Sequence, residues 1–207
     1  MPENPFIVRP ADPRDDAVIA SLVVEGFLDK FRPVFGRQLN RSVRIMEKWV
    51  RLEHSLGGVS SLLIEGSSPK EIAASVGVRI KSSDDHALSR GLWKALRRNL
   101  GFARAAWAAT LLSYPRYAAT SSEAYVERLV VAQEHRQRGM ASALLKAAED
   151  LARKSGKETV GLHVSSDNQP ALKLYETRGY ELNSRQRSLL TGHFLGIRDW
   201  LYLRKGL

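Results

Sequence analysis

A single-domain α/β (α+β) fold is predicted by three observations. After an opening strand and two helical stretches, strand-like and helix-like periodicities follow in the order β-β-(insert)-β-α-β-α-β-β, a mixed order that fits one layered domain. The 207 residues are enough to bury one sizeable core. No internal repeat or low-complexity tract divides the chain.

The elements are read in chain order. Phe6 to Arg9 is a short first strand, and Pro10 to Asp16 has the proline and aspartates of a turn. Val18, Leu22, Val23 and Phe27 recur at helical spacing, as do Val43, Met46, Trp49 and Val50. Pro33 and Gly36 interrupt the two stretches, which predicts a loop over residues 28–42. Val59 to Glu65 and Ile72 to Ile80 are strands, and Gly66-Ser67-Ser68-Pro69-Lys70 supplies turn residues for a hairpin between them. Tyr125 to Val131 is a strand rich in β-branched residues. Ala141 to Lys154 is a helix with Leu144, Leu145, Ala148, Leu151 and Ala152 on one face, ended by Gly156. Thr159 to Val164 is a strand, and Pro170 to Arg178 a short helix with proline in its first turn and Gly179 at its end. Tyr180 to Leu190 and Asp199 to Leu203 complete the strands.

Composition narrows the function classes. With 43% hydrophobic and 26% charged residues, the chain has the balance of a soluble globular protein. Met1 to Pro5 has neither the basic nor the apolar region of a signal peptide, and no run reaches the roughly 18–20 apolar residues of a membrane span. A cytoplasmic location is therefore expected. The absence of cysteine excludes disulfides, thiolate nucleophiles and cysteine-held zinc. The histidines His54, His86, His135, His163 and His193 are scattered without metal-ligand spacing, so no metal is expected. The net charge of +10 suits solubility, or attraction to nucleic acid, anionic lipid or a polyphosphorylated small molecule.

Residues 81–122 carry half of that charge: seven basic residues against Asp84 and Asp85 leave +5. Arg90 to Arg104 place their basic side chains on one helical face, while Leu88, Leu92, Leu96, Leu100, Phe102 and Trp107 fall on the other, with a break expected near Gly101. Four readings fit this insert: packing on its own domain, dimerisation through the apolar face, peripheral membrane contact, or a lid over substrate on the acceptor side. Its aromatic residues lie away from its basic ones, which argues against stacking on bases, and no nucleic-acid partner is expected.

Arg136-Gln137-Arg138-Gly139-Met140-Ala141 lies between a strand and a helix, where unpaired N–H groups and a partial positive charge suit phosphate. Arg136 and Arg138 add charge, and Gly139 allows close backbone approach. A glycine in such a loop is otherwise only a turn. Downstream stands Asn168-Gln169-Pro170-Ala171-Leu172-Lys173-Leu174-Tyr175-Glu176-Thr177-Arg178-Gly179-Tyr180. The pair resembles the GNAT superfamily of N-acetyltransferases. Its loop pattern (Gln/Arg)-x-x-Gly-x-(Gly/Ala) matches Arg136 to Ala141, and its pattern Asn-x-x-Ala-x-x-Leu-Tyr-x-x-x-Gly-(Phe/Tyr) matches Asn168 to Tyr180. Gln133 departs from a proline that many members carry two positions after the last strand valine.

The resemblance implies a mixed, mostly antiparallel central sheet flanked by helices, with the helical insert between the third and fourth strands. It implies one acyl-CoA N-acyltransferase domain over residues 1–207 that uses acetyl-CoA as co-substrate and an amine-bearing acceptor, small molecule or protein. The alternative is a non-catalytic acyl-CoA-binding regulatory module. By resemblance, backbone groups of Leu129, Val130 and Val131 hold the pantetheine arm and acyl carbonyl. Those of Arg136, Gln137, Arg138, Gly139, Met140, Ala141 and Ser142 hold the pyrophosphate. Asn168 and Ala171 contact the cofactor arm, and Tyr175 lies near the sulfur.

The chemistry needs a neutral amine, stabilised negative charge on the carbonyl oxygen and a proton for the departing thiolate. Strand N–H groups suit the second need, and the Tyr175 phenol suits the third. His163 and Glu127 compete as the base. His163 has a reference pKa near 6.5, while simple alternation puts Glu127 on one face with Leu129 and Val131. His135 beside the loop reads as a surface residue or phosphate neighbour, and His193 as part of the acceptor side or an exposed turn.

Overall fold

The computed structural model describes residues 6–36, 39–66, 71–81, 85–117 and 120–207. The hairpin turn expected at residues 66–70 therefore lies outside the described residues except for Gly66, as do Met1 to Pro5 and Asp84. A seven-stranded sheet runs β1 (Val8–Pro10), β2 (Val59–Glu65), β3 (Ile72–Arg79), β4 (Glu123–Val131), β5 (Thr159–Ser165), β7 (Asp199–Gly206) and β6 (Glu181–Arg187), in that spatial order. Only β4 and β5 pair in parallel; every other neighbouring pair is antiparallel. The C-terminal strand β7 inserts between β5 and β6, which leaves β6 at the edge with its side chains largely exposed.

Two apolar layers sandwich the sheet. On one face α6 (Met140–Lys154) and α7 (Gln169–Thr177) cover Leu62, Val76, Val78, Val126 and Leu162, with Leu144, Leu145 and Ala148 of α6 fully buried. The predicted stripe of α6 is thus the stripe that faces the strands. On the other face lie α1 (Asp16–Gly26), α2 (Leu28–Phe35), α3 (Leu39–Leu56), α4 (Asp85–Leu100) and α5 (Phe102–Leu112), which pack Ile19, Phe31, Val50, Leu96 and Leu111 against Leu63 and Val130. A Cβ on Gly26 would come within 2.1 Å of Val130 Cγ2, so the end of α1 approaches β4 as closely as it does only because residue 26 is glycine.

The insert forms the helix pair α4 and α5, broken where Gly101 takes φ +77. Leu88 and Leu96 are buried, Leu96 against the domain's own helices, and the basic residues Arg90, Lys94, Arg97, Arg98 and Arg104 are exposed. Phe102, assigned to the apolar face, is instead 70% exposed beside the break and meets Trp93 edge-on.

Two local expectations are corrected. Residues 28–35 form α2 and not a loop: Pro33 removes one helical hydrogen bond, but Phe31, Val34 and Phe35 are buried, and Gly36 at φ +67 ends the helix. The final strand pair is interrupted by α8 (Leu189–Leu195). Ser188 caps its start by accepting from Thr191 N, and Gly196 closes it in the left-handed region. Among the described residues no helix is long and apolar enough to cross a membrane.

Candidate active site

β4 and β5 pair only from Glu123↔Thr159 to Val126↔Leu162. Beyond that point β4 continues to Val131 against β3, and β5 continues to Ser165 against β7. The strands diverge, and the edges of Glu127–Val131 and His163–Ser165 that face each other lack ladder partners across the gap. Unpaired backbone groups at such a gap need another partner. A cavity of about 680 Å³ opens here, bounded by β4, β5 and α7 on one side and by α1, α2, α3 and the α8–β7 corner on the other.

A bulge opposite Gly77/Val78 adds one residue to β4, because Val78 pairs with Val126 while Gly77 pairs with Arg128. Simple alternation therefore fails at Glu127. Ala124, Val126, Leu129 and Val131 face the α6 layer, whereas Glu127 and Arg128 face the helical layer opposite. Glu127 lines the cavity, and its Oε1 accepts from Arg79 Nε at 2.6 Å. Burial raises its carboxyl above the usual range, and the Arg79 cation pulls in the opposite direction. Arg128 and Glu53 form a buried ion pair, with Arg128 Nη1 donating to Glu53 Oε1 at 2.9 Å. Trp49 Nε1 also donates to that oxygen, so β4 is tied to α3.

His163 stands at the mouth of the divergence, against both this cavity and a smaller one of about 300 Å³. Arg116 fixes the amide of Gln186: its N–H donates to Oε1 at 3.2 Å and its carbonyl accepts from Nε2 at 2.7 Å. Gln186 Nε2 then donates to His163 Nε2 at 3.0 Å, which leaves His163 Nδ1–H to donate to Tyr125 Oη at 2.9 Å. Burial is the main cause that lowers the imidazole to about 4; Glu123 opposes it and Lys30 adds to it. His163 is thus a neutral ring whose one lone pair is already occupied, a weaker base than its place in the strand predicts.

Tyr175, on α7, is buried to 7% exposure and lines the cavity. Burial raises its phenol to about 12, so the hydroxyl stays protonated and able to donate near neutral pH. Asn168 and Ala171 line the same wall, but the Asn168 side chain is occupied as the α7 cap, accepting from Ala171 N at 3.2 Å. Gly179 takes φ +80 after α7, as its place in the sequence predicts.

The loop from Arg136 to Gly139 leads into α6. Gln137 has φ 62 and Gly139 φ 86, two left-handed residues flanking Arg138, a conformation that turns successive N–H groups to one side. α6 has no side-chain cap and no acidic residue in its first turn, so the N–H groups of Met140, Ala141 and Ser142 have no intrahelical acceptor. Arg136 Nε reaches back to Val131 O at 3.3 Å, and the side chains of Arg136, Gln137 and Arg138 are exposed. Leu129, Val130 and Val131 send their side chains into the two cores, which leaves only backbone to face the gap. His135 is not a surface residue: it is buried, and its Nε2 meets Glu71 Oε1 at 2.6 Å. His193 is exposed on α8, edge-on to Phe194.

Several groups in the site carry no sequence motif. Arg79, Tyr125 and Gln186 reach it through strand pairing, and Lys30 through the unforeseen helix α2. Tyr117 stacks on Tyr125 at 3.8 Å between ring centroids and donates to Glu123, to which Tyr202 also donates.

A family model described as the acetyltransferase (GNAT) family matches residues 83–180. The chain is 35% identical over 79 residues to the chloroplastic GCN5-related N-acetyltransferase 6 of Arabidopsis thaliana, a match that covers 38% of this chain and 25% of the relative. It spans between 20% and 46% of the length of the curated relatives it matches. A crystal structure of an acetyltransferase superimposes with a TM-score of 0.67 at 20% identity, covering 97% of this chain and 98% of the other. The structure of yncA from Salmonella typhimurium with its cofactor acetyl-CoA gives 0.62 at 16% identity, covering 99% and 95%. The diverging β4–β5 pair, the uncapped α6 and the motif on α7 all lie within the segment that matches the GNAT acetyltransferase family model, and the chain shares the fold of the acetyltransferase structures it superimposes on.

Proposed function

We propose that this protein transfers the acetyl group of acetyl-CoA to a primary amine, with both substrates bound together across the β4–β5 opening in one acyltransferase domain. The observation that carries the reading is the β4 edge left unpaired where β4 and β5 diverge, in a chain that also offers an uncapped N-terminus on α6 and a buried Tyr175 phenol against the cavity. The residues suit the cofactor. Free N–H groups from Arg138 to Ser142, with no competing carboxylate in the first turn, suit a pyrophosphate. Arg136 and Arg138 can neutralise its charge. The edge of Leu129 to Val131 can pair with an amide-bearing arm as one more strand would.

When bound, acetyl-CoA supplies a thioester already activated for attack. The net reaction forms one N–C bond and breaks one C–S bond; the amine gives up a proton and the thiolate gains one. We assign the first proton to Glu127, which is held by Arg79 and faces the cavity, and whose carboxyl is raised by burial towards a stronger base. Tyr175 Oη holds the second. Backbone N–H groups of β4 offer donors to the carbonyl oxygen. His163 positions Tyr125 and closes the end of the opening; the Gln186 amide keeps its ring neutral and in one tautomer.

The test is release of free thiol from acetyl-CoA against a panel of primary amines, with mass detection of the acetylated product. Turnover that depends on one class of amine supports the reading. Tight acetyl-CoA binding with no turnover on any amine would instead favour a regulatory acyl-CoA-binding module.

A further inference from the structure

We propose that Lys30 selects the acceptor: its ammonium recognises a carboxylate carried by the amine substrate. This rests on reading the cavity as the acceptor site.

α2 sets Lys30 on the cavity wall with Nζ 4.5 Å from the Trp200 ring centroid and 4.8 Å from that of Phe27. Two aromatic faces hold the cation in place. Among the described residues, no carboxylate lies within ion-pair distance of it, and Asp29 next in the chain acts on it only through space. Glu127, the carboxylate on the opposite wall, is engaged by Arg79. Burial pulls the Lys30 ammonium down to about 8, the direction expected of a cation short of a counter-charge. Its field reaches His163 across the cavity, where it helps to hold that ring neutral.

A lysine on a surface helix ordinarily extends its amine into water. Here the amine sits among rings, in a cavity whose helical wall also includes Phe31, Phe35, Met46 and Trp49, with Asp29 as the helical carboxylate. A charge so placed is costly unless a partner arrives. The partner this site lacks is an anion, and an anion that enters here must be attached to something apolar. The chemistry that satisfies both is a free amino acid with a bulky apolar side chain, or another apolar amine bearing a carboxylate. Polyamines and aminoglycosides, with several cations, meet repulsion from Lys30. A peptide N-terminus offers a neutral amide where the free amino acid offers its carboxylate.

Binding of product-like probes isolates this claim from the transfer reaction. The 207-residue chain is titrated by calorimetry, without acetyl-CoA, with N-acetyl-phenylalanine and N-acetyl-leucine and with the uncharged carboxamide of each. The acid of at least one pair should bind about tenfold or more tighter than its amide, the size expected of one charge-assisted contact. Lys30→Met should bring the acid to the level of the amide without weakening the amide, and Lys30→Arg should keep the preference. Circular dichroism on both variants checks that they fold. The proposal is overturned if the wild type binds acid and amide alike, if neither probe of either pair binds, or if Lys30→Met keeps the preference. Because acetyl-CoA is absent, failure of acetyl transfer leaves this result standing, and failure of the carboxylate preference leaves transfer to other amines intact.

Discussion

The two walls of the cavity are built on different principles. The wall formed by β4 and α7, together with the loop that leads on from β4 into α6, presents mainly backbone: an unpaired strand edge, left-handed Gln137 and Gly139, and a helix start without a cap. The wall formed by α1, α2, α3 and the α8–β7 corner presents side chains, among them Phe31, Trp49, Lys30 and Trp200. A backbone site needs only the residues that permit a conformation, so it leaves a short, spaced signature in the sequence. A side-chain site can be made by any residues that the fold happens to bring together, so it leaves none. The first wall is suited to one invariant ligand and the second to a variable one.

The strongest challenge to this division is to cut the tie between the walls. Arg128→Met leaves Glu53 buried without its cation, and losing one member of a buried pair costs about 3–5 kcal/mol. Chemical denaturation should report a loss of that size. A change under about 1 kcal/mol would mean that β4 and α3 are held by apolar packing alone.

Tyr175→Phe sharpens the account of the backbone wall, since it removes only a hydroxyl. Turnover should fall about 10- to 1,000-fold while acetyl-CoA affinity is kept, which places the loss in the chemical step. Steady-state kinetics with calorimetry on the same variant separates the two.

Glu127 and His163 both line the cavity, and a smaller effect distinguishes them. If the Glu127 carboxylate takes the amine proton, the rate rises with pH through the raised carboxyl pKa, and Glu127→Gln removes that rise with about a 10- to 100-fold loss of rate. His163→Ala should leave the rise in place, and loss of the rise in that variant alone would return the base to His163.

The smallest expected effect concerns stability. His163 titrates near 4 when folded and near 6.5 when unfolded, so the unfolded chain binds more protons between those values. Its contribution is fully present above about pH 6.5 and is lost as pH falls towards 4. His163→Gln should flatten the stability–pH curve in that window, measured by denaturation at fixed pH intervals.

The same division explains what was legible. Arg136 to Ala141 and Asn168 to Tyr180 were readable because Gly139 and Gly179 must adopt positive φ and Asn168 must cap a helix, constraints that restrict residue type at fixed spacing. α2 was hidden by Pro33, whose local penalty is outweighed by burial of Phe31, Val34 and Phe35, a tertiary gain that no window of sequence contains. α8 was hidden although its start and end signals, Ser188 and Gly196, were present, because the apolar Leu189 and Leu190 also extend a strand pattern. The face of Glu127 turned on one inserted residue, visible only in the register between β3 and β4. The state of His163 depends on Gln186 and Arg116, brought to it by β7 inserting between β5 and β6 and by the last part of the insert, beyond α5.

The most direct test of the two-wall account is a calorimetric titration of acetyl-CoA into the wild type, Gly139→Glu and Lys30→Met. Gly139→Glu puts a carboxylate at the start of α6 and forces a side chain into φ 86. The account predicts about micromolar binding or tighter to the wild type, a loss of about 100-fold or more in Gly139→Glu, and unchanged affinity in Lys30→Met. Wild-type affinity in Gly139→Glu, or an equal loss in Lys30→Met, would contradict the division of the site into a backbone wall for the cofactor and a side-chain wall for the acceptor.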